Sequence, residues 1–373
     1  MKTVRLTVIF LITSFFLVGS VLAQGAPVKV GFIGAMTGAA AVMGQRCNEG
    51  FLMGWNEFNE KGGAKGRKVE VITDDDEGQA GKGVNAANKQ IFKDEILCGF
   101  ATTNTPVTMA VVPSFQKYGV SHMTQVFGPT VTKMGSKYVF RISVSIDAYA
   151  ETIYEWAVKN MGLKTVAIFS DKGGFGKDVG DAWEKVAPQY GVKVVTHEKC
   201  NLEDKDFTGQ LLQIKKLNPQ GVVMALGWEL TMGLIVKNMK KLGMNNQVFA
   251  GAMSVEKYVE YGGEAAEGSI IGLPLVDYDR PKQVAEFASR FRAKYGRDPV
   301  LHNVWGYDAA NILGTAMGKV APNITRETVY QGITSVSGVQ LVQGTYDFKA
   351  SQDGIRRSKV AKIQGAKAVL IQE

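Results

Sequence analysis

Thr102, Thr103 and Thr105, with Asn104 among them, crowd hydroxyl and amide groups into a loop over 99–106 that runs into Pro106. Residues 95–98 before it are short and apolar enough for a buried strand. Residues 107–117 after it are largely apolar and read as a helix that Pro113 would kink. Thr suits a helix N-cap and Pro the first position inside, so the stretch reads as strand, tight loop and helix with Thr105 at the cap. Hydroxyls and free backbone N–H groups at a helix start attract an anion such as a carboxylate. In an open α/β sheet, ligands settle at the carboxyl ends of the strands, where this loop lies. The same residues also suit a purely local task, Thr105 capping its own helix.

The competing constellations fail on their spacing. The acidic run 74–77 lacks the alternation of a calcium loop and reads as a strand end followed by the negative first turn of a helix. Gly173-Gly174-Phe175-Gly176-Lys177 glances at a phosphate loop, but Asp171 stands where the first Gly is required and Asp178 where Ser or Thr is. Gly31 and Gly34 do not have the dinucleotide spacing. There is no Gly-x-Ser-x-Gly elbow, no Cys-x-x-Cys and no His pair at metal spacing; His122, His197 and His302 stand alone. Nothing here asks for catalysis, a metal or a cofactor. Cys47, Cys98 and Cys200 are too few for a disulfide framework. A Cys47–Cys98 bridge is conceivable, and buried free thiols are the simpler reading.

The elements that must position the loop alternate regularly. Strands are expected over 28–34, 69–72, 119–123, 165–169, 192–195, 221–226 and 247–250. Helices are expected over 45–59, 83–92, 148–159, 177–190, 206–216 and 230–242. This rhythm calls for parallel sheets with helices on both faces, and its restart after 141–147 calls for two halves. Long helices follow at 283–295, 303–318 and 325–332, then short strands and turns to the end. This tail is expected to pack back on the first half, so that the chain crosses between halves more than once. Phe127, Phe175, Trp228 and Met253 each fall just past a strand end, and Met43 lies in the first strand–helix connection. Apolar side chains gathered at loop tips suggest the walls of a cleft.

Composition sets the class. The 373 residues are 45% hydrophobic and 21% charged, ordinary for a globular chain of two domains. Lys2 and Arg5, an apolar run and Gly19-Ser20-Val21-Leu22-Ala23 make residues 1–23 a secretory leader, cut after Ala23, and the apolar run is short for a membrane anchor. No Cys adjoins the cut, which speaks against a lipoprotein and for a periplasmic protein. The net charge of +8 is mild and scattered, without a basic stripe and interleaved aromatics, so nucleic acid is not implied.

The chain resembles the type I periplasmic solute-binding proteins of branched-chain amino acid ABC transporters, the leucine/isoleucine/valine-binding group. The resemblance covers essentially the whole mature chain. It rests on Val30-Gly31-Phe32-Ile33-Gly34-Ala35-Met36-Thr37-Gly38, on Asn59-Glu60-Lys61-Gly62-Gly63 with Asp75-Asp76, and on Ala87-Asn88-Lys89. Asp171-Lys172 with Phe175-Gly176, and Trp305 to Asn311, add to it. It implies an α/β fold, periplasmic binding protein-like I: two doubly wound Rossmann-like lobes joined by a three-crossing hinge. The lobes would be 24–146 plus 276–352 and 147–275 plus 353–373. It implies a monomer that closes on a small solute and docks on a membrane permease, without a cofactor. By resemblance, a hydroxyl at Thr103 or Thr105, beside Asn104, holds the ligand carboxylate, and groups around Val126 and Phe127 assist. Phe175 and Trp228 take the places of aromatics that cover the ligand.

Two departures bear on the ligand. Amino-acid binders place an acid after Gly251-Ala252 to pair with the ammonium, and this chain has Met253; they often have Tyr where Met43 stands. An ammonium buried without a counter-charge costs roughly several kcal/mol. The expectation is therefore a carboxylate with an apolar or aromatic body rather than a plain amino acid, unless Asp147 or Glu229 supplies the charge. A ligand-sensing module for a signalling receptor would use the same cleft. An exported hydrolase would need a nucleophile with a positioned base, which the sequence does not display.

Overall fold

Apolar strands with both faces covered, separated by helices with one apolar face, build this chain from repeated strand–helix units. A computed structural model describes residues 26–372 apart from 39, 129, 252 and 274–281. The leader expected over 1–23 and the crossing expected at 275–276 lie outside the described residues. No described helix is long and apolar enough to cross a membrane.

The first lobe runs β1 (Val28–Gly34), α1 (Ala41–Glu60), β2 (Val69–Asp75), α2 (Ala80–Phe92), β3 (Cys98–Ala101), α3 (Thr105–Tyr118), β4 (Ser121–Thr124) and β5 (Val139–Arg141). Its 5-stranded sheet has the order β2-β1-β3-β4-β5, parallel throughout. Phe32 and Phe100 stack at 5.2 Å beneath α1, and Phe51 closes on Phe32 at 5.5 Å. The third strand differs from its expected place at 95–98. Glu95 takes a left-handed backbone (φ 57°) and the Ile96 N–H returns to the Gln90 carbonyl, so this stretch is the turn off α2 and pairing starts at Cys98.

The second lobe runs α4 (Ile146–Met161), β6 (Thr165–Asp171), α5 (Gly174–Val186), β7 (Lys193–Cys200), α6 (Thr208–Leu217), β8 (Gly221–Ala225), α7 (Glu229–Lys241), β9 (Gln247–Gly251), α8 (Val255–Gly262) and β10 (Ile270–Leu273). Then come α9 (Lys282–Tyr295), α10 (Leu301–Val320), α11 (Arg326–Thr334), the hairpin β11 (Val339–Gln340) and β12 (Thr345–Tyr346), and finally β13 (Lys359–Gln364) and β14 (Lys367–Gln372). The second sheet is 7-stranded, ordered β14-β13-β10-β9-β8-β6-β7, with β13 and β14 antiparallel additions.

The tail divides. Helix α10 lies against α1 so closely that a Cβ on Gly50 would sit 1.8 Å from the Asn303 carbonyl oxygen, and one on Gly306 would sit 1.9 Å from that of Cys47. Only glycine permits that approach, and it ties α10 to the first lobe. The last two strands instead extend the second sheet. Residues 352–354 thus run beside β5. The Arg141 N–H donates to the Gln352 carbonyl at 2.8 Å, and the Gly354 N–H to that of Arg141 at 2.9 Å. The fully buried Arg141 guanidinium pairs with Asp353 at 3.1 Å and donates to the Phe127 carbonyl and Thr132 Oγ1. Cys47, Cys98 and Cys200 are free and buried, so the Cys47–Cys98 bridge does not form.

Candidate ligand-binding site

The loop after β3 spends most of its polar groups on its own shape. Asn104, not Thr105, caps α3: its Oδ1 accepts the Val107 N–H at 3.0 Å, which puts Thr105 inside the helix. Thr102 Oγ1 lies 2.7 Å from Thr108 Oγ1, which also donates to the Asn104 carbonyl. Thr103 is left over. It is 5% exposed, and its Oγ1 is buried with no partner among the described residues. Gln125, at the end of neighbouring β4, is 2% exposed with Oε1 in the same condition. A buried polar atom without a partner costs about 1–3 kcal/mol, and these two stand on one wall.

Both atoms belong to residues lining a cavity of about 650 Å³ between the lobes. Thr103, Asn104, Thr105, Val126, Phe127 and Met43 line it from the first lobe, and Phe175 from the second. The Phe175 ring stands edge-on to Phe127 at 6.2 Å, and Phe127 in turn leans on Trp305 at 5.6 Å. Trp228 and Met253 are not brought to this wall. Trp228 is the N-cap of α7, 47% exposed, and Met253 packs against the core of the second lobe.

Residues the sequence reading did not single out complete the lining: Pro106, Met109, Gln125, Gly128, Ile146, Asp178, Gly227 and His302. Gln125 adjoins Val126 in the chain. His302 carried no local signal, because only the packing of α10 on α1 brings it there. Burial pushes its pKa down to about 4, so the imidazole is neutral near pH 7.

The field in the cavity comes from helix ends. Met43, Thr105, Ile146, Phe175 and His302 fall in the first turns of α1, α3, α4, α5 and α10. These starts carry partial positive charge, and no Lys or Arg lines the cavity among the described residues. Among the described residues the one lining acid is Asp178. The two acids that might have met an ammonium are elsewhere engaged: Asp147 pairs with Lys133 at 2.9 Å, and Glu229 accepts the Ser254 N–H at 2.8 Å.

Two carboxylates, from the acidic run and from the rejected phosphate-loop pattern, tie loops together. Asp75 Oδ1 accepts the N–H groups of Met36 and Glu77, each at 2.8 Å. Asp171 accepts those of Gly173 and Gly227, each at 2.7 Å, and so locks the loops that carry Phe175 and Trp228. A Cβ at Gly176 would fall 1.9 Å from Asp171 Oδ2, which explains the glycine. A larger hollow of about 740 Å³ lies between α4 and the β11–β12 hairpin, where Glu151, Asp347, Arg356, Arg357 and Lys359 put charge on the walls beside Val342 and Ile355.

Comparison with known proteins places this geometry. Residues 27–367 match the periplasmic binding protein family. The chain is 31% identical over 255 residues to the Leu/Ile/Val-binding protein homolog 3 of Brucella melitensis, covering 68% of this chain and 69% of that one. An ABC transporter substrate-binding protein from Desulfitobacterium hafniense, solved with Leu, superposes with a TM-score of 0.75 at 22% identity, covering 92% of this chain and 100% of that one. A solute-binding protein from R. palustris, solved with benzoate, superposes at 0.71 with 20% identity, covering 93% and 96%. The two-lobed α/β fold, the inter-lobe cavity and these matches together make the chain a member of the periplasmic binding proteins of the branched-chain amino acid ABC transporter family.

Proposed function

We propose that this chain, as a monomer, captures a small carboxylic acid with an apolar or aromatic body by closing its lobes, and presents it to a membrane permease. The observation that carries the reading is the buried, unpartnered Thr103 hydroxyl in a cavity ringed by helix starts and walled by Met43, Met109, Val126, Phe127, Ile146 and Phe175. The hydroxyl donates to a carboxylate, the helix ends meet its charge, and the apolar wall takes the body. Thr103 rather than Thr105 is the anchor, because its oxygen is the one buried without a partner, whereas Thr105 is only half-buried. Met253 supports the loss of an ammonium site, since it packs into the second lobe where an acid would have faced the cleft.

Asp178 favours the competing reading, a plain amino acid whose ammonium it would meet. Titration calorimetry with benzoate, a medium-chain fatty acid and leucine separates the two. The expected result is binding of benzoate or the fatty acid with leucine weaker. Tight leucine binding that Asp178→Asn abolishes would replace the proposal with the amino-acid reading.

A further inference from the structure

We propose a transition-metal site, of the Zn²⁺ class, on the outer edge of the second sheet, formed by His197 Nδ1 with the carboxylates of Glu184 and Asp181. His197 lies on β7, the edge strand, and faces α5, where Asp181 and Glu184 stand three residues apart on one face. One ligand atom from each lies within 4.8 Å of the other two. Nδ1 stands 2.8 Å from Glu184 Oε2.

The ring is held for this task from behind. Its Nε2 lies 2.8 Å from Ser170 Oγ, and Ser170 is fully buried. An outer hydrogen bond of this kind fixes the orientation of a metal-binding imidazole and leaves the other nitrogen to the metal. Gly180 makes the room: a Cβ there would meet His197 Nε2 at 2.8 Å and Ser170 Cβ at 3.0 Å.

One imidazole nitrogen and two carboxylate oxygens suit Zn²⁺ and similar cations, whereas Ca²⁺ and Mg²⁺ prefer oxygen throughout. Ligand bonds of roughly 2.0–2.2 Å need only a small opening of the Glu184 contact. Glu184 and Asp181 can give it, with side chains 50% and 46% exposed. Lys177 now sits 2.5 Å from Asp181, an exposed pair one helical turn apart that a dication displaces easily. Ser170, His197 and Glu184 also form the line of a hydrolytic triad. Ser170 Oγ, however, lies sealed beneath α5, where no substrate reaches it.

The test is calorimetric titration of ZnCl₂ into the untagged chain after chelator stripping, alongside thermal melts. Wild type should show one saturable site and a zinc-dependent rise in Tm. His197→Gln should remove both, and Glu184→Gln and Asp181→Asn, exposed changes that spare the fold, should each weaken binding roughly tenfold or more. Absent saturable uptake, equal affinity across these variants, or calcium binding as tight as zinc would each overturn the assignment.

Discussion

Thr103 and His122 show how single buried groups can be read by what they lack. If the Thr103 hydroxyl waits for a ligand, Thr103→Val removes an unpartnered polar atom from the free protein and a donor from the complex. The unliganded melting temperature should hold or rise, while affinity for the acid falls by about 1.5–3 kcal/mol, the range for a hydrogen bond to a charged group. Thr105→Val serves as the control and should change affinity far less. Equal losses for the two variants would rule out Thr103 as the anchor. His122 is fully buried, and burial pushes its pKa from 6.5 to about 4. Its folded form resists protonation that the unfolded chain accepts, so its contribution to stability is complete above pH 6.5 and is lost as pH falls towards 4. Denaturant titrations should show a shallower decline over that window for His122→Leu than for wild type. Asp308 runs the other way: burial raises its carboxyl to about 7, so the same window favours its folded form, and only the difference between variants isolates the histidine.

At the scale of elements, the cavity exists because helix starts are aimed and then pinned. Asp75 and Asp171 each tie two loops by backbone N–H groups, and the Asp171 pair fixes the loops that bring Phe175 and Gly227 to the cavity. The seam between α1 and α10 does the same for His302, and it depends on bare backbone at Gly50 and Gly306. Gly306→Ala should therefore destabilise by about 3 kcal/mol, the upper part of the usual overpacking range. It should also loosen the first turn of α10, which equilibrium unfolding and hydrogen exchange near His302 would report. A neutral effect would mean that the helices slide apart more easily than a packed core allows.

At the scale of the whole molecule, two sheets face one another across a cavity whose walls come from both. Arg141 is laced to residues 352–354 by two backbone bonds and by the Arg141–Asp353 pair, so among the described residues these two segments run side by side where the chain passes between the lobes. Phe175, 37% exposed on the second lobe, meets Phe127 of the first lobe by its edge. Saturating ligand should draw the lobes together and lower the radius of gyration in small-angle X-ray scattering. A scattering curve unchanged by a ligand that calorimetry shows to be bound would refute closure.

Much of this was legible in the order of residues. The alternation of apolar strands and one-sided helices determined a parallel α/β chain in two halves, because those patterns have few other ways to bury themselves. Strand ends followed by hydroxyls, Gly and lone aromatics located the loops that line the cavity. Boundaries were less legible: 95–98 has a strand's composition, yet the turn off α2 takes 95–97 and pairing starts only at Cys98, and Asn104 took the cap expected of Thr105. What only the tertiary structure decided were meetings between residues far apart in the chain. His302 reaches the cavity through a glycine seam, Gln125 points a bare amide oxygen into the same wall, and His197 finds Ser170, Glu184 and Asp181 across a sheet edge. Local pattern encodes which face of an element is buried; which partner it is buried against depends on how whole elements pack, and that is set by shape summed over the molecule.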